Sequence, residues 1–130
     1  MADDDALRRG FEVRRSVLGA EHVERSSANA TDFTRDFQEF ITRYAWGDVW
    51  SRPGLDRRTR SLLTIAMTAA LGRYDELRLH VRATGNTGAT RDEVREVLLQ
   101  VAVYAGVPAA HSAYHHAAEV FREMDEEAAR

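Results

Sequence analysis

The sequence predicts an all-α protein, and three observations lead to this fold class. Apolar residues recur at the 3.6-residue spacing of helices along most of the chain, whereas the alternating pattern of strands is absent. The two prolines and eight glycines fall mostly between these periodic stretches. A length of 130 residues corresponds to one ordinary domain. We therefore expect a single-domain bundle of about six or seven helices over residues 1–130, with a core over about 17–121.

The composition excludes several classes of function. The formal net charge is only −3, which argues against a basic nucleic-acid binder or an acidic disordered tail. The chain has no cysteine, so thiol catalysis, disulfides and thiolate-held metals are excluded. All 18 basic residues are arginine, so no side-chain amine can form a Schiff base. No apolar run approaches the roughly 20 residues of a membrane span, and we expect a cytoplasmic protein with no membrane partner.

The first part of the chain is predicted to hold three helices. A loose apolar stripe from Leu7 precedes Gly19, and a weaker helix follows over Ala20–Ala28. Asp32 is positioned to cap a third helix, whose helically spaced apolar residues continue to a stop at Gly47. An ordered loop over Trp46–Gly54, which holds both tryptophans, is predicted next. The apolar residues of the third helix are Phe33, Phe37, Phe40, Ile41 and Tyr44.

The second part is predicted to hold four helices. Asp56 is positioned to cap a helix that runs to Gly72. Residues 62–71 are apolar almost all round, which predicts a central buried helix with the other helices packed around it. The next helix, Tyr74–Thr87, should end at Gly88. The remaining signals are a capping box at Thr90–Glu93, a helix end at Gly106 and a helix start at Pro108.

A carboxylate and an imidazole share one face of the helix that begins at Tyr74. Glu76 and His80 stand four residues apart, beside the apolar stripe. Such a pair can hydrogen-bond, which would fix the orientation of the imidazole and tune its pKa for acid–base chemistry. A partly buried structural contact would produce the same pattern. Arg78 and Arg82 project to the opposite side, where we expect a solvated face.

The last helix carries a second group of candidate residues. His111, His115 and Glu119 follow each other at four-residue spacing, with His116 beside them. This spacing suits zinc or iron ligands, but three ligands on one helix face cannot usually surround a metal. We therefore expect no metal site here.

Three arginines crowd the first turns of the helix after Asp56. Arg57, Arg58 and Arg60 lie at the positive end of the helix dipole, where cations are locally unfavourable and an anion would be welcome. The alternative is that their stems reach the surface and pair with acidic neighbours. The two tryptophans upstream favour packing over a ligand wall.

Six stretches of the chain carry a recognisable pattern: Val17–Val23, Trp46–Leu62, Ala70–Arg73, Glu76–Ala83, Gly88–Glu96 and Tyr104–Ala110. Together they resemble the carboxymuconolactone decarboxylase family over roughly 17–120. The wider superfamily contains alkylhydroperoxidase D-like proteins, whose helical fold the resemblance implies for this chain. In those proteins two cysteines precede a histidine. His80 matches that histidine, whereas Arg73 and Glu76 occupy the cysteine positions, so peroxidase activity is excluded.

The resemblance implies a cofactor-free decarboxylation of 4-carboxymuconolactone to 3-oxoadipate enol-lactone, in the protocatechuate branch of the β-ketoadipate pathway. It also implies a homo-oligomer, namely a hexamer. The lactone accepts the electrons released with CO2, so no metal or organic cofactor is needed. Two alternatives remain open: a related lactone-processing enzyme, and a non-catalytic helical oligomerisation module.

Within this implied reaction, either Arg58 or Arg60 would bind the acetate arm of the substrate, because a guanidinium matches a carboxylate in bidentate fashion. His80 would donate the proton, with Glu76 orienting it and keeping it charged near neutral pH. In the alternative division Glu76 donates the proton and His80 stabilises the oxyanion. The family pattern alone adds four candidates for the lining of the substrate pocket: His22, Trp46, Trp50 and Tyr104.

Overall fold

The computed structural model describes residues 2–130, with side chains from residue 5 onward. Within these residues the chain forms helices and connecting loops, and no strand is present there. The prediction of an all-α fold with about six or seven helices is therefore confirmed. The helices are α1 Ala2–Leu18, α2 Ala20–Ala28, α3 Arg35–Ile41, a π-helical segment Thr42–Val49, α4 Arg57–Leu71, α5 Tyr74–Thr87, α6 Arg91–Ala105 and α7 Val107–Ala128.

The chain divides into two compact units. The first ends at Arg57, and the second covers Arg58–Arg130. Each unit buries its own apolar residues, which include Val17 and Val23 in the first and Ile65 in the second. A single domain over the whole chain stays a prediction. Among the helices described over residues 2–130, none combines the length and the apolar character needed to cross a membrane.

In the first unit, α1 packs against the π-helical segment at two glycines. A Cβ atom at Gly10 would lie 2.1 Å from the carbonyl oxygen of Thr42, and one at Gly47 would lie 2.5 Å from that of Ala6. Only glycine permits such close approach of two backbones. Thr42 is fully buried at this crossing, and its hydroxyl donates a 2.7 Å hydrogen bond to the carbonyl of Gln38.

Both predicted ends of the third helix are wrong. The helix begins at Arg35, and the Asp32 carboxylate accepts a 2.7 Å hydrogen bond from the Arg35 guanidinium instead of capping the helix. The preceding turn is closed by the hydroxyl of Thr34, which accepts from the backbone N–H of Thr31 at 2.9 Å. This local turn sets the start of the helix, because it satisfies a backbone donor before the first helical residue.

At the other end the helix passes through Gly47 and continues as a π-helix to Val49. The predicted loop over Trp46–Gly54 is therefore helical in its first four residues. Gly47 serves the contact with α1 and does not stop the helix.

Phe37, Phe40 and Tyr44 lie on the helical segment with the predicted spacing, whereas Phe33 lies in the turn before it, and all four rings are exposed. We call this set the aromatic stripe. On a helix it lies about 180° from Thr42, the buried residue at the crossing with α1. The two glycines draw the opposite face of the helix onto α1, so the rings remain outside.

In the second unit, α7 packs against both α5 and α6. Small side chains on α7, at Ala110, Ala113 and Ala117, are buried and allow these neighbours to approach closely. The core they form also includes Val120 of α7 and the following residues of the other helices: Ile65, Ala69, Leu77, Val81, Val94, Leu98 and Val101.

The prediction that α4 is the central buried helix is wrong for the described chain. Ile65 and Ala69 are fully buried, but Leu63, Met67 and Leu71 are exposed on the other side of the helix. Helix α7 takes the central position instead. Only one side of α4 is covered within its unit, although both sides are apolar.

The helix ends predicted at Gly88, at the Thr90–Glu93 box and at Gly106 are confirmed, and the cap at Asp56 stays a prediction. Gly88 closes α5 in the left-handed conformation, with φ of 86°, and its N–H donates to the carbonyl of Thr84. Thr90 and Glu93 form the predicted capping box: each side chain accepts from the other's backbone N–H, at 3.1 and 2.9 Å. Gly106 separates α6 from α7, with Pro108 in the first turn of α7.

Candidate active site

His80 lies on the inner side of α5. Its side chain is only 6% exposed, and Leu77 and Val81 beside it are fully buried. Thr84, one turn further on, is buried as well, and its hydroxyl donates a 2.6 Å hydrogen bond to the carbonyl of Val81. The apolar face of α5 therefore carries an imidazole in a setting largely sheltered from water, which is suited to a group that transfers a proton.

Glu76 shares the predicted face with His80 but is exposed. The orienting role of Glu76 stays a prediction. Glu76 lines an open pocket of about 440 Å³ at the start of α5, together with Arg73 and Tyr74. Its carboxylate is thus accessible to a ligand.

The two candidate arginines at the start of α4 differ in their surroundings. Arg58 forms an ion pair with Glu93, and its Nε donates to the Glu93 Oε1 at 3.0 Å. Arg60 is more buried than Arg58, one helix face away. A guanidinium partly withdrawn from water attracts a carboxylate more strongly, which favours Arg60 over the exposed Arg58 for a substrate carboxylate.

Three of the candidate pocket residues lie in the first unit. The rings of Trp46 and Trp50 stack at a centroid distance of 4.9 Å, with 26° between their planes. Trp46 is buried and Trp50 is half-buried. His22 is half-buried on α2. The tryptophans therefore pack on each other, as their predicted packing role requires.

Tyr104, the fourth candidate, is 82% exposed near the end of α6. It lies on an apolar groove of about 440 Å³ between α4 and α6, which we call the α4–α6 groove. The groove is lined by Thr59, Leu62, Leu63, Ala66, Met67 and Ala70 of α4 and by Val97, Gln100, Val101, Tyr104 and Ala105 of α6.

The predicted solvated face of α5 is wrong, because it packs against α7 through ion pairs. The Arg78 guanidinium bonds Glu119 at 3.0 Å and Glu123 at 2.8 Å, and Arg82 bonds Glu123 and Glu127. The signal was present in the sequence as two arginines four residues apart and three glutamates at the same spacing. The hydrogen bond from Arg78 lowers the pKa of Glu119 below its ordinary value, and the charge of His115 adds to this effect.

The histidines of α7 take part in this network. His115 lies 3.1 Å from Glu119, and the ring of His116 stacks on Tyr74 at 4.9 Å. The Nδ1 of His116 is 3.2 Å from the guanidinium of Arg78. Glu119, the glutamate considered as a metal ligand, thus binds an arginine. Over the described part of the chain, no group of three or more acidic or histidine residues is arranged to hold a metal ion.

Comparison with known proteins identifies similar chains. The model of the carboxymuconolactone decarboxylase family matches residues 35–119, which run across the boundary between the two units. The chain is 56% identical over 124 residues to the 4-carboxymuconolactone decarboxylase of Acinetobacter baylyi, which covers 95% of this chain and 92% of that protein. It is 50% identical over 112 residues to the nitrosuccinic acid decarboxylase of Metarhizium robertsii, with 82% and 78% covered. A 4-carboxymuconolactone decarboxylase of Pseudomonas putida is 54% identical over 39 residues, which are 30% of this chain and 81% of that protein.

Proposed function

Since the chain belongs to the carboxymuconolactone decarboxylase family, we propose that it converts 4-carboxymuconolactone to 3-oxoadipate enol-lactone with release of CO2. The observation that carries this proposal is the similarity to the Acinetobacter enzyme, which extends over nearly the whole of both chains. The reaction class is that of a carboxy-lyase. Its place is the protocatechuate branch of the β-ketoadipate pathway.

The proposed reaction balances without an added cofactor. The bond between the γ-carbon of the lactone and its carboxylate breaks, and the electron pair moves through the ring alkene onto the lactone carbonyl oxygen. The resulting dienolate takes one proton at the carbon next to the carbonyl, which gives the enol-lactone. The protein has to hold the acetate arm, stabilise the negative oxygen and supply the proton.

His80 is the residue that we propose as proton donor. Its burial supports this role, because a donor sheltered from water delivers its proton to the substrate and not to solvent. Glu76 would orient the imidazole once substrate is bound. In the alternative division Glu76, which is accessible to a ligand, donates the proton and His80 stabilises the oxyanion.

Arg60 is the residue that we propose for the acetate arm. The partial burial of Arg60 supports this choice over the exposed Arg58, because a carboxylate is attracted more strongly where less water screens the charge. His22, Trp46, Trp50 and Tyr104 complete the proposed pocket on the strength of the family pattern. The stacked tryptophans would supply an apolar wall against which the lactone ring can pack.

A second candidate substrate is nitrosuccinic acid, because the Metarhizium relative bears that activity in its name. Both substrates carry the departing carboxylate and an acetate arm on one carbon, next to a group that accepts the electron pair. In nitrosuccinate the nitro group accepts it and forms a nitronate. The test compares the acceleration of CO2 release from 2-nitrosuccinate and from 2-nitropropanoate, which lacks the arm. Acceleration of neither compound would exclude this second activity.

We further propose that the active enzyme is a homo-oligomer, namely a hexamer, and that it acts in the cytoplasm. The exposed apolar surfaces of both units support self-association. Sedimentation equilibrium measures the number of chains, and fractionation of cells that express the protein tests the location.

The decisive experiment follows the ultraviolet absorbance of freshly prepared 4-carboxymuconolactone after treatment of the protein with a chelator. We expect rapid conversion by the wild type, a rate lower by about 10²–10⁴ for His80→Ala, and an unchanged rate for the exposed control His115→Gln. A wild type that is folded but inert would overturn the decarboxylase proposal.

A further inference from the structure

The first unit leaves a large apolar surface uncovered. Phe33 of the aromatic stripe is 92% exposed, and the other three rings are more than half exposed. Buried aromatic side chains remove about 150–250 Å² each from water, so the stripe offers roughly 500 Å² for contact. Folded monomers seldom expose an apolar patch of this size unless it binds a partner.

The second unit leaves a matching concave surface uncovered. Helix α4 lines the α4–α6 groove from Thr59 to Ala70, which spans about 15 Å along the helix. The helical part of the stripe, Phe37–Tyr44, covers about 10 Å along its axis and therefore fits within the length of the groove. The small side chain of Ala66 and the exposed thioether of Met67 leave room for aromatic rings in the groove.

We propose that the aromatic stripe of one copy of the chain binds in the α4–α6 groove of another copy. This inference deepens the proposed homo-oligomer, since it names the two surfaces that meet. Phe37, Phe40 and Tyr44 stand at i, i+3 and i+7, and helical apolar anchors at such spacing that enter an apolar groove are a recurring mode of recognition. Neither surface contains a charged side chain, so no ion loses its hydration in the contact.

The area is sufficient for a specific contact. With the matching surface of the groove, the stripe buries about 1,000 Å² in total, which is where specific interfaces begin. One kind of contact then covers both exposed surfaces. Because the two surfaces differ, the contact can close in two ways: reciprocally in a two-fold dimer, where each stripe enters the groove of the other copy, or head-to-tail around a ring. A contact between two grooves would leave every aromatic stripe in water.

The contact also bears on the proposed substrate pocket. Tyr104 lies on the groove and is 82% exposed, which is unusual for a residue that lines a pocket. A stripe seated in the groove would cover Tyr104. The second copy would therefore complete this part of the pocket.

Two variants and their mixture test the contact. Phe37→Glu places a charge in the stripe, and Met67→Glu places one in the groove; both residues are more than half exposed, so neither change reaches the core. We expect the wild type to sediment as an oligomer and each variant alone as a single chain of 14.7 kDa. An equimolar mixture should form a dimer of twice this mass, because it combines one intact stripe with one intact groove.

Three outcomes would overturn the proposal. One is that either variant alone keeps the mass of the wild type. Another is that the mixture stays monomeric. The third is that Phe37→Glu alone forms a dimer, which would indicate that two grooves meet. The control Ser27→Glu adds the same charge at an exposed position of α2 and should keep the wild-type mass. Far-ultraviolet circular dichroism verifies that all variants are folded.

The same samples separate this proposal from the others. A wild type that is oligomeric and active, with variants of unchanged mass, overturns only the stripe-in-groove contact. A monomeric wild type overturns the proposed oligomer together with this contact. An oligomeric wild type without activity overturns the decarboxylation alone.

Discussion

Arg58 and Glu93 form an ion pair that joins the first turn of α4 to the capping box of α6. The Oε1 of Glu93 accepts from the Nε of Arg58 at 3.0 Å and from the backbone N–H of Thr90 at 2.9 Å. One carboxylate thus accepts a backbone N–H at the start of α6 and neutralises the Arg58 cation at the start of α4. The second effect is favourable because Arg58 lies at the positive end of a helix dipole.

This ion pair leads to opposite predictions for two neighbouring arginines. Arg60→Gln should raise the KM for 4-carboxymuconolactone roughly 10- to 100-fold, the usual value of a hydrogen bond to a charged group. Arg58→Gln should leave the KM nearly unchanged and lower the free energy of unfolding by up to about 1 kcal/mol. Steady-state kinetics and urea denaturation of both variants measure this. A raised KM for Arg58→Gln with an unchanged KM for Arg60→Gln would instead mean that Arg58 binds the acetate arm.

The proton donor can be identified from the pH dependence of the rate. If the imidazolium of His80 supplies the proton, kcat should fall as the pH rises through the range in which histidines titrate. A profile that stays flat between about pH 6 and 9 would contradict this role. The profile of the Glu76→Gln variant completes the comparison, since loss of an orienting glutamate should shift the pH at which kcat falls without abolishing the fall.

The glycine crossing of the first unit makes a prediction about stability. Gly10→Ala should lower the free energy of unfolding by about 3 kcal/mol or more, because the new methyl would meet the backbone of Thr42. Gly85→Ala is the matched control inside α5. Its Cβ would lie 3.5 Å from the Met124 methyl, an ordinary contact. The control should gain about 0.5–1 kcal/mol from lower backbone entropy in the unfolded chain. Equal effects of both variants would disprove the close approach.

Acid should weaken the contact between α5 and α7. The hydrogen bond from Arg78 lowers the pKa of Glu119 below its ordinary value of 4.5, so the unfolded chain takes up this proton first as the pH falls. The stabilisation is therefore complete above this value and is lost progressively below it. The hydrogen bond from Arg91, which joins α6 to α7, lowers the pKa of Asp125 in the same way. The free energy of unfolding should therefore fall further at still lower pH.

The measurement is the free energy of unfolding from pH 7 down to pH 3, for the wild type and for Arg78→Gln. The variant should show a shallower decline below about pH 4.5, since Glu119 has lost the donor that depresses its pKa. Parallel curves would mean that this hydrogen bond is absent in solution.

The boundaries that the sequence predicts correctly are those set by local chemistry. Gly88 and the Thr90–Glu93 box each act within one helical turn, so the residues that define them are adjacent in the chain. Gly47 shows the limit of this reasoning. A glycine is equally compatible with a helix stop and with close helix packing, and only the position of α1 decides between them.

Which faces are buried depends on contacts that are distant in the sequence. The burial of His80 could be predicted because the apolar residues beside it lie on the same helix. The partner of Arg58 could not, since it lies 35 residues away in the chain. The matched spacing of arginines and glutamates indicates the partners of Arg78 only once α5 and α7 are known to meet, because Glu119 lies 41 residues away. The exposed side of α4 was missed for a related reason: an apolar face indicates that something covers it, but it does not indicate whether the cover belongs to the same chain.

The π-helical segment makes the chain intolerant of small changes in length. Its hydrogen bonds, such as the one from the Trp50 N–H to the carbonyl of Ala45, span five residues where an α-helix spans four. Loss of one residue between 42 and 49 would allow ordinary α-helical hydrogen bonds, but it would rotate everything beyond the deletion by about 100°. Gly47 or Trp46 would then leave the position that it now occupies. In descendants of this chain, the residues of 42–49 other than Gly47 should therefore accept substitutions far more readily than insertions or deletions.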